Sequence, residues 1–218
     1  MGKKYFFFDL DGTLTDPKIG ITKSVQYSLT SFGIDIDDLD ALVPFIGPPL
    51  RDSYKKYYSF SDQAAEKAVE KYREYFSEQG IYENAIYSGI ETLLKEQIAA
   101  GNTLVVATSK PTVYATKILR HFNIYDCFSF VSGSELDGSR SKKDLVIQHA
   151  LDNLNIYDAN SVIMIGDKEH DILGAEKLGM DSVGVLYGYG DFDELSKAGA
   201  KYIVANVHEL STLLSDIG

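Results

Sequence analysis

From about residue 84 onward the sequence alternates between helical and short apolar segments, and this alternation limits the fold more than any other feature. Gly89 to Ala100 reads as a helix closed by Gly101, the usual position for a glycine after a helix. Thr103-Leu104-Val105-Val106-Ala107 follows as a short, mostly apolar strand, as expected of a parallel strand covered on both faces. Helix 111–121, strand 127–131, helix 144–154, strand 161–165, helix 171–178 and strand 182–186 continue the pattern. Strands separated by crossover helices predict an α/β fold, a doubly wound parallel sheet. Residues 16–83 break the rhythm. Ile21, Val25, Leu29 and Phe32 recur at helical spacing, Ala64 to Phe76 reads as an amphipathic helix, and no convincing strand intervenes. The run Phe45-Ile46-Gly47-Pro48-Pro49-Leu50-Arg51-Asp52 interrupts these helices with a stiff turn. Tyr54, Tyr57, Tyr58, Tyr72, Tyr75 and Tyr82 are expected to supply the core of this insert. The expected organisation is therefore a core of residues 1–15 and 84–218 carrying a helical domain at 16–83, within reach of a 218-residue chain.

In open parallel sheets, ligands bind beyond the carboxyl ends of the strands. The residues just after each strand are thus the candidates for chemistry. The first strand, Phe6-Phe7-Phe8, delivers Asp9 and Asp11 onto a turn at Gly12, with Thr13 beyond. Alternation along an extended strand puts the two acids on one side, where they repel unless a cation or a shared proton intervenes. A calcium loop also begins Asp-x-Asp, but Thr13, Leu14 and Gly20 stand where it needs an Asp or Asn, a glycine and a glutamate. That reading fails. After the second strand come Thr108, Ser109 and Lys110; after strand 161–165 come Gly166, Asp167, Lys168, Glu169, His170 and Asp171. Lys142 and Lys143 precede helix 144–154. Acids for a hard cation, facing hydroxyl and ammonium donors, make a receptor for a phosphoryl group and Mg2+. Each residue also has a local reading: Thr108 as a helix cap, Asp171 as a first-turn acid, Lys110 as a solvated lysine.

Taken in order, Asp9-x-Asp11-Gly12-Thr13, Thr108 after an apolar strand, a lysine at 142 or 143, and Gly166-Asp167-x-x-x-Asp171 resemble the four motifs of the haloacid dehalogenase (HAD) superfamily phosphatases. The insert between the first two motifs resembles the helical C1 cap of phosphoglycolate-phosphatase-like members, and Gly47 to Asp52 resembles a 5′-nucleotidase-like branch. The resemblance implies a Mg2+-dependent phosphomonoester hydrolase acting on small phosphorylated metabolites, with 5′-nucleotides or phosphoglycolate as candidates. It implies Asp9 as a nucleophile that forms an aspartyl-phosphate, and Asp11 as the acid and base. Mg2+ would be held by the carboxylates of Asp9 and Asp167 and the backbone carbonyl of Asp11. Thr108, Ser109 and a lysine would contact the phosphoryl oxygens; the family register favours Lys143 over Lys142. Asp171 and Thr13 would support these groups from behind. The cap is expected to close over the pocket, hinging near Thr15–Lys18 and Asn84–Ser88, and Arg51 to reach the leaving group or else to pair with a cap acid. Dehalogenases of the same superfamily lack an acid two residues after the nucleophile, so Asp11 favours phosphate chemistry. A sugar-phosphate mutase of the β-phosphoglucomutase type keeps both acids and stays open, as does a non-catalytic protein that binds phosphorylated metabolites.

The net charge of −11 leaves no basic surplus for displacing counterions from a nucleic acid. No apolar run approaches the ~20 residues that span a bilayer, and Met1-Gly2-Lys3-Lys4 leads into the first strand without the apolar stretch of a secretory leader. Cys127 is the only cysteine, which excludes an internal disulfide; a buried, inert thiol in a reducing, cytoplasmic setting is expected. His121, His149, His170 and His208 show no zinc-ligand spacing.

Overall fold

A computed structural model describes residues 2–218, which divide into two compact units, one of them Pro17–Ala85 and the other ending at Asp16 and resuming at Ile86. In the second of these a parallel six-stranded sheet forms the centre, with strand order β5-β4-β1-β6-β7-β8. The strands are β1 (Tyr5–Phe8), β4 (Thr103–Pro111), β5 (Phe130–Ser134), β6 (Val162–Gly166), β7 (Asp181–Val185) and β8 (Tyr202–Val204). The two-residue strands β2 (Thr15–Asp16) and β3 (Ala85–Ile86) mark where the chain passes from one unit to the other. Helices α4 (Ile90–Ala99), α5 (Thr112–His121), α6 (Lys143–Leu154), α7 (Glu169–Glu176), α8 (Phe192–Lys197) and α9 (Val207–Ile217) complete the unit.

The central strand β1 is buried from Phe6 to Phe8, which explains its unbroken aromatic run: both of its faces are covered. On one face Phe7, Val105 and Met164 pack with Val146, Ile147 and Ala150 of α6. Register then decides where the chemistry falls. Phe8 lies beside Val106 of β4 on one flank and beside Ile165 of β6 on the other. Asp9 after β1 and Asp167 after β6 therefore emerge at one edge, beside the last residues of β4.

Several expected boundaries shift. The strand expected at 127–131 begins at Phe130, because Tyr125–Cys127 is wound into a 3-10 turn. Expected strand 103–107 continues to Pro111, with an irregular register between Ala107 and Pro111. Cys127 is half-buried rather than buried, and that partial burial raises its thiol pKa. No helix among the described residues is long and apolar enough to cross a membrane.

The inserted unit holds α1 (Lys18–Thr30), a 3-10 segment at Leu39–Phe45, α2 (Leu50–Tyr58) and α3 (Asp62–Tyr75), which runs on into a π-helical turn at Phe76–Gly80. Ile21, Val25 and Leu29 of α1 are buried, as their spacing predicts, whereas Phe32 lies beyond the helix end and is exposed. Tyr54 and Tyr72 are core residues; Tyr57 and Tyr82 stand in solvent. Tyr54 stacks on Phe60 with ring centroids 5.9 Å apart, and meets Phe45 edge-on at 5.0 Å.

Candidate active site

The expected strand geometry of Asp9 and Asp11 is not what forms. β1 ends at Phe8, and both acids ride the loop beyond it. That loop is tight: the Leu10 carbonyl accepts from the amides of Leu14 and Thr15 at 2.9 and 3.0 Å, and the Gly12 amide donates to the Thr15 carbonyl at 2.8 Å. Gly12 is required twice over. Its φ of +84° is one that side chains rarely adopt, and a Cβ there would lie 2.2 Å from the Asp167 carboxylate.

Asp9, Asp167 and Asp171 are buried together, each offering a carboxylate oxygen within 4.8 Å of the other two. Asp167 leaves β6 directly, and Asp171 arrives one turn later in α7, where it also accepts from the Lys168 amide at 3.1 Å and so caps the helix. Gly166 makes room for that approach, since a Cβ there would sit 2.2 Å from the Asp171 carboxylate.

Lys143, the first residue of α6, reaches into this group. Its ammonium stands 2.9 Å from Asp9, 2.7 Å from Asp171 and 3.0 Å from the Ala107 carbonyl, which it meets as a donor. Burial works against the charge on Lys143, but Asp171 and Asp9 outweigh it and hold the ammonium above its ordinary pKa. Lys142 is exposed and merely precedes the helix, so of the two lysines it is Lys143 that the fold brings to the acids.

Lys110 is the residue that the sequence alone does not single out. A lysine after a strand reads as solvated, yet its side chain is only 6% exposed and its ammonium pairs with Asp11. Burial raises the Asp11 carboxyl pKa, and Lys110 pulls it the other way. Thr108 is buried, and its hydroxyl accepts from the Lys110 amide at 3.3 Å. Helix α5 begins after Pro111 with no side-chain cap, so Thr108 does not serve that local role. Ser109 is half-buried, its carbonyl accepting from the Ser134 hydroxyl at 2.8 Å. Thr13 is buried, its hydroxyl without a hydrogen-bond partner among the described residues. Arg51 belongs to the inserted unit, where its guanidinium faces Asp62 at 3.7 Å and Glu66 at 3.5 Å.

The donor set suits a hard divalent cation. All its members are carboxylate oxygens, Asp167 is fully buried, and its Oδ1 has no hydrogen-bond partner among the described residues. Burial raises the Asp167 carboxyl pKa well above the ordinary range, and the charges of Asp171 and Asp9 push it further. A raised folded-state pKa means that ionising Asp167 penalises the folded state, a penalty absent in acid and growing as pH rises through the ordinary carboxylate range. Asp167→Asn is accordingly expected to raise Tm in EDTA at about pH 8, the gain shrinking as pH falls. Thermal melts across that range check it; a gain independent of pH would contradict this assignment of the strain.

A family profile described as haloacid dehalogenase-like hydrolase matches residues 6–185. A 5′-nucleotidase of Pseudomonas aeruginosa is 46% identical over 207 residues, covering 95% of this chain and 93% of that protein. The tyrosine-protein kinase PtkA of Mycobacterium tuberculosis is 37% identical over 209 residues, covering 95% of this chain and 71% of the kinase. A crystal structure of a predicted phosphatase from Clostridium acetobutylicum superposes with a TM-score of 0.97 at 48% identity, covering 99% of this chain and all of the other.

Proposed function

The chain belongs to the haloacid dehalogenase-like hydrolase family as an enzyme of its phosphatase type, and from that premise we propose a Mg2+-dependent hydrolase of small phosphomonoesters that works through an aspartyl-phosphate on Asp9. One observation carries the reading: the buried group of Asp9, Asp167 and Asp171, bridged by Lys143. Asp9, Asp167 and the Asp11 carbonyl would hold the cation, which when bound screens the anionic nucleophile from an anionic phosphoryl group.

The protein's own residues then do the following. An Asp9 carboxylate oxygen attacks phosphorus as the bond to the leaving oxygen breaks. Asp11 gives that oxygen a proton, then takes one from the water that cleaves the Asp9–phosphorus bond and frees inorganic phosphate. The burial that raises the proton affinity of Asp11 serves this double use, and the Lys110 ammonium opposes it. Thr108, Ser109 and Lys143 hold the transferring oxygens, with positioning and charge neutralisation supplying most of the rate. Asp171 holds the Lys143 ammonium beside Asp9.

For substrate we favour 5′-nucleotides, on the strength of the 5′-nucleotidase relative, with phosphoglycolate next. A cytoplasmic setting belongs to the same proposal, resting on the lone cysteine. The test is phosphate release from a panel of phosphomonoesters in Mg2+ and in EDTA. Mg2+-dependent release from nucleotides supports the reading. Isomerised product without free phosphate would establish a mutase instead, and phosphate appearing on protein tyrosine would align the chain with its PtkA relative. No turnover despite Mg2+ binding would leave a metabolite-binding protein. Arg51 enters on sequence grounds as a contact to the leaving group. Its ion pairs are half-exposed, and such pairs contribute about 0–1 kcal/mol to stability, so Arg51→Ala should fold normally. The expected result is an unequal loss of kcat/KM across the panel; an equal, small loss on every substrate removes Arg51 from the site.

A further inference from the structure

Beyond β7 the chain runs Tyr187-Gly188-Tyr189-Gly190, a stretch with no part in the motifs above. Its contacts converge on the site from one direction. The Tyr189 amide donates to Asp167 Oδ2 at 2.8 Å, while Asp167 Oδ1 has no hydrogen-bond partner among the described residues. The Tyr187 phenol donates to the Thr13 carbonyl at 3.0 Å, within the loop that carries Asp9 and Asp11, and the Tyr189 phenol donates to Asp16 in β2, where that loop ends. Between them, Gly188 lies so close that a Cβ would be 2.3 Å from the Gly12 carbonyl and 2.4 Å from Asp167 Cβ. Burial raises the pKa of both phenols above the ordinary tyrosine value, so at neutral pH each is a neutral donor.

We propose that residues 187–190 form a positioning strap that fixes the Asp9 loop against Asp167 and leaves Asp167 Oδ1 free for the cation. The inference rests on the proposed function. The amide turns one oxygen of Asp167 inward, and the two phenols set how far the Asp9 loop stands from it. Partners that orient a metal-binding carboxylate typically change metal affinity about 10- to 100-fold when removed. Neither tyrosine touches the reacting atoms in this account; both act through Asp167 and the loop.

The experiment compares Mg2+ affinity, measured by titration calorimetry and by the Mg2+-dependent rise in Tm, in the wild type, in the double variant Tyr187→Phe/Tyr189→Phe and in Gly188→Ala. The double variant keeps every backbone amide and both rings, so it tests the phenols without emptying the core. Its Mg2+ Kd is expected to rise about tenfold. Gly188→Ala, which displaces the amide as well, should lose more; should it fail to fold, the double variant decides alone. The kinetic signature is a fall in kcat that excess Mg2+ partly restores, with KM little changed, which general destabilisation would not give. A double variant that binds Mg2+ as tightly as the wild type overturns the strap and leaves the proposed function standing. A wild type that binds no Mg2+ overturns both.

Discussion

Asp9→Asn is expected to lower Mg2+-dependent phosphate release roughly 10⁴- to 10⁶-fold, the scale on which removal of a nucleophile acts. Asparagine matches aspartate in size, so the loop turning at Gly12 has no reason to move. What disappears is the anion that would bond to phosphorus. Lys143 loses one of its two carboxylates but keeps Asp171 at 2.7 Å and the Ala107 carbonyl at 3.0 Å, so its charge stays satisfied. The measurement pairs kcat with acid quenching of a 32P-labelled substrate. Wild type should carry label on the protein during turnover, and the variant should carry none. Activity within about tenfold of the wild type would remove Asp9 as nucleophile and with it the covalent route.

The second large effect concerns stability. Lys143→Met leaves Asp9 and Asp171 buried with no cation between them, and breaking a buried pair in this way costs about 3–5 kcal/mol. For a chain of this size that corresponds to a fall in Tm on the order of 10 °C. The folded-state pKa of Lys143 is raised, so its contribution is fully present below the ordinary lysine value of 10.5 and is lost as pH climbs through the higher folded value. Measured in EDTA, the deficit of the variant should shrink as pH falls, because burial already pushes the Asp171 carboxyl up to about 6 and loss of Lys143 raises it further, and it should narrow again in strong alkali. Mg2+ should recover part of it, because the cation restores positive charge beside Asp9. Equal stability of variant and wild type would mean that the ammonium is dispensable to the fold.

The alternation of helices and apolar strands makes the α/β sheet legible in the sequence. The candidate acids are legible because parallel-sheet physics assigns chemistry to the residues after apolar strands, whereas the choice of Lys143 over Lys142 rests on the family register. The stretch beyond β7 is not legible. β8 is three residues long and α8 six, too short for any period to declare itself, and α9 lay beyond the last strand that could be read. The 3-10 turn at Tyr125–Cys127 was hidden because Cys127-Phe128-Ser129-Phe130 reads as strand-like alternation whichever way the backbone winds. Lys110 and Tyr187–Gly190 were missed for a different reason. Their roles lie in a partner, Asp11 in one case and Asp167 in the other, and nothing in a one-dimensional string brings those partners near. The string also does not show that the Asp171 carboxylate lies within 4.8 Å of those of Asp9 and Asp167.

The order of the strands has a consequence for how the polypeptide emerges from the ribosome. Phe6, Phe7 and Phe8 are made before the segments they pair with, Leu104 to Val106 and Ile163 to Ile165. The helices of Pro17–Ala85 are synthesised in between and draw on local contacts, so they can condense while the aromatic strand is still bare. Until Ile165 has left the exit tunnel, three consecutive phenylalanines have only one flank to pair with, in a nascent chain that sticks readily to others like it. The stretch that later presents Asp9 is thus the one that stays unpaired longest on one flank.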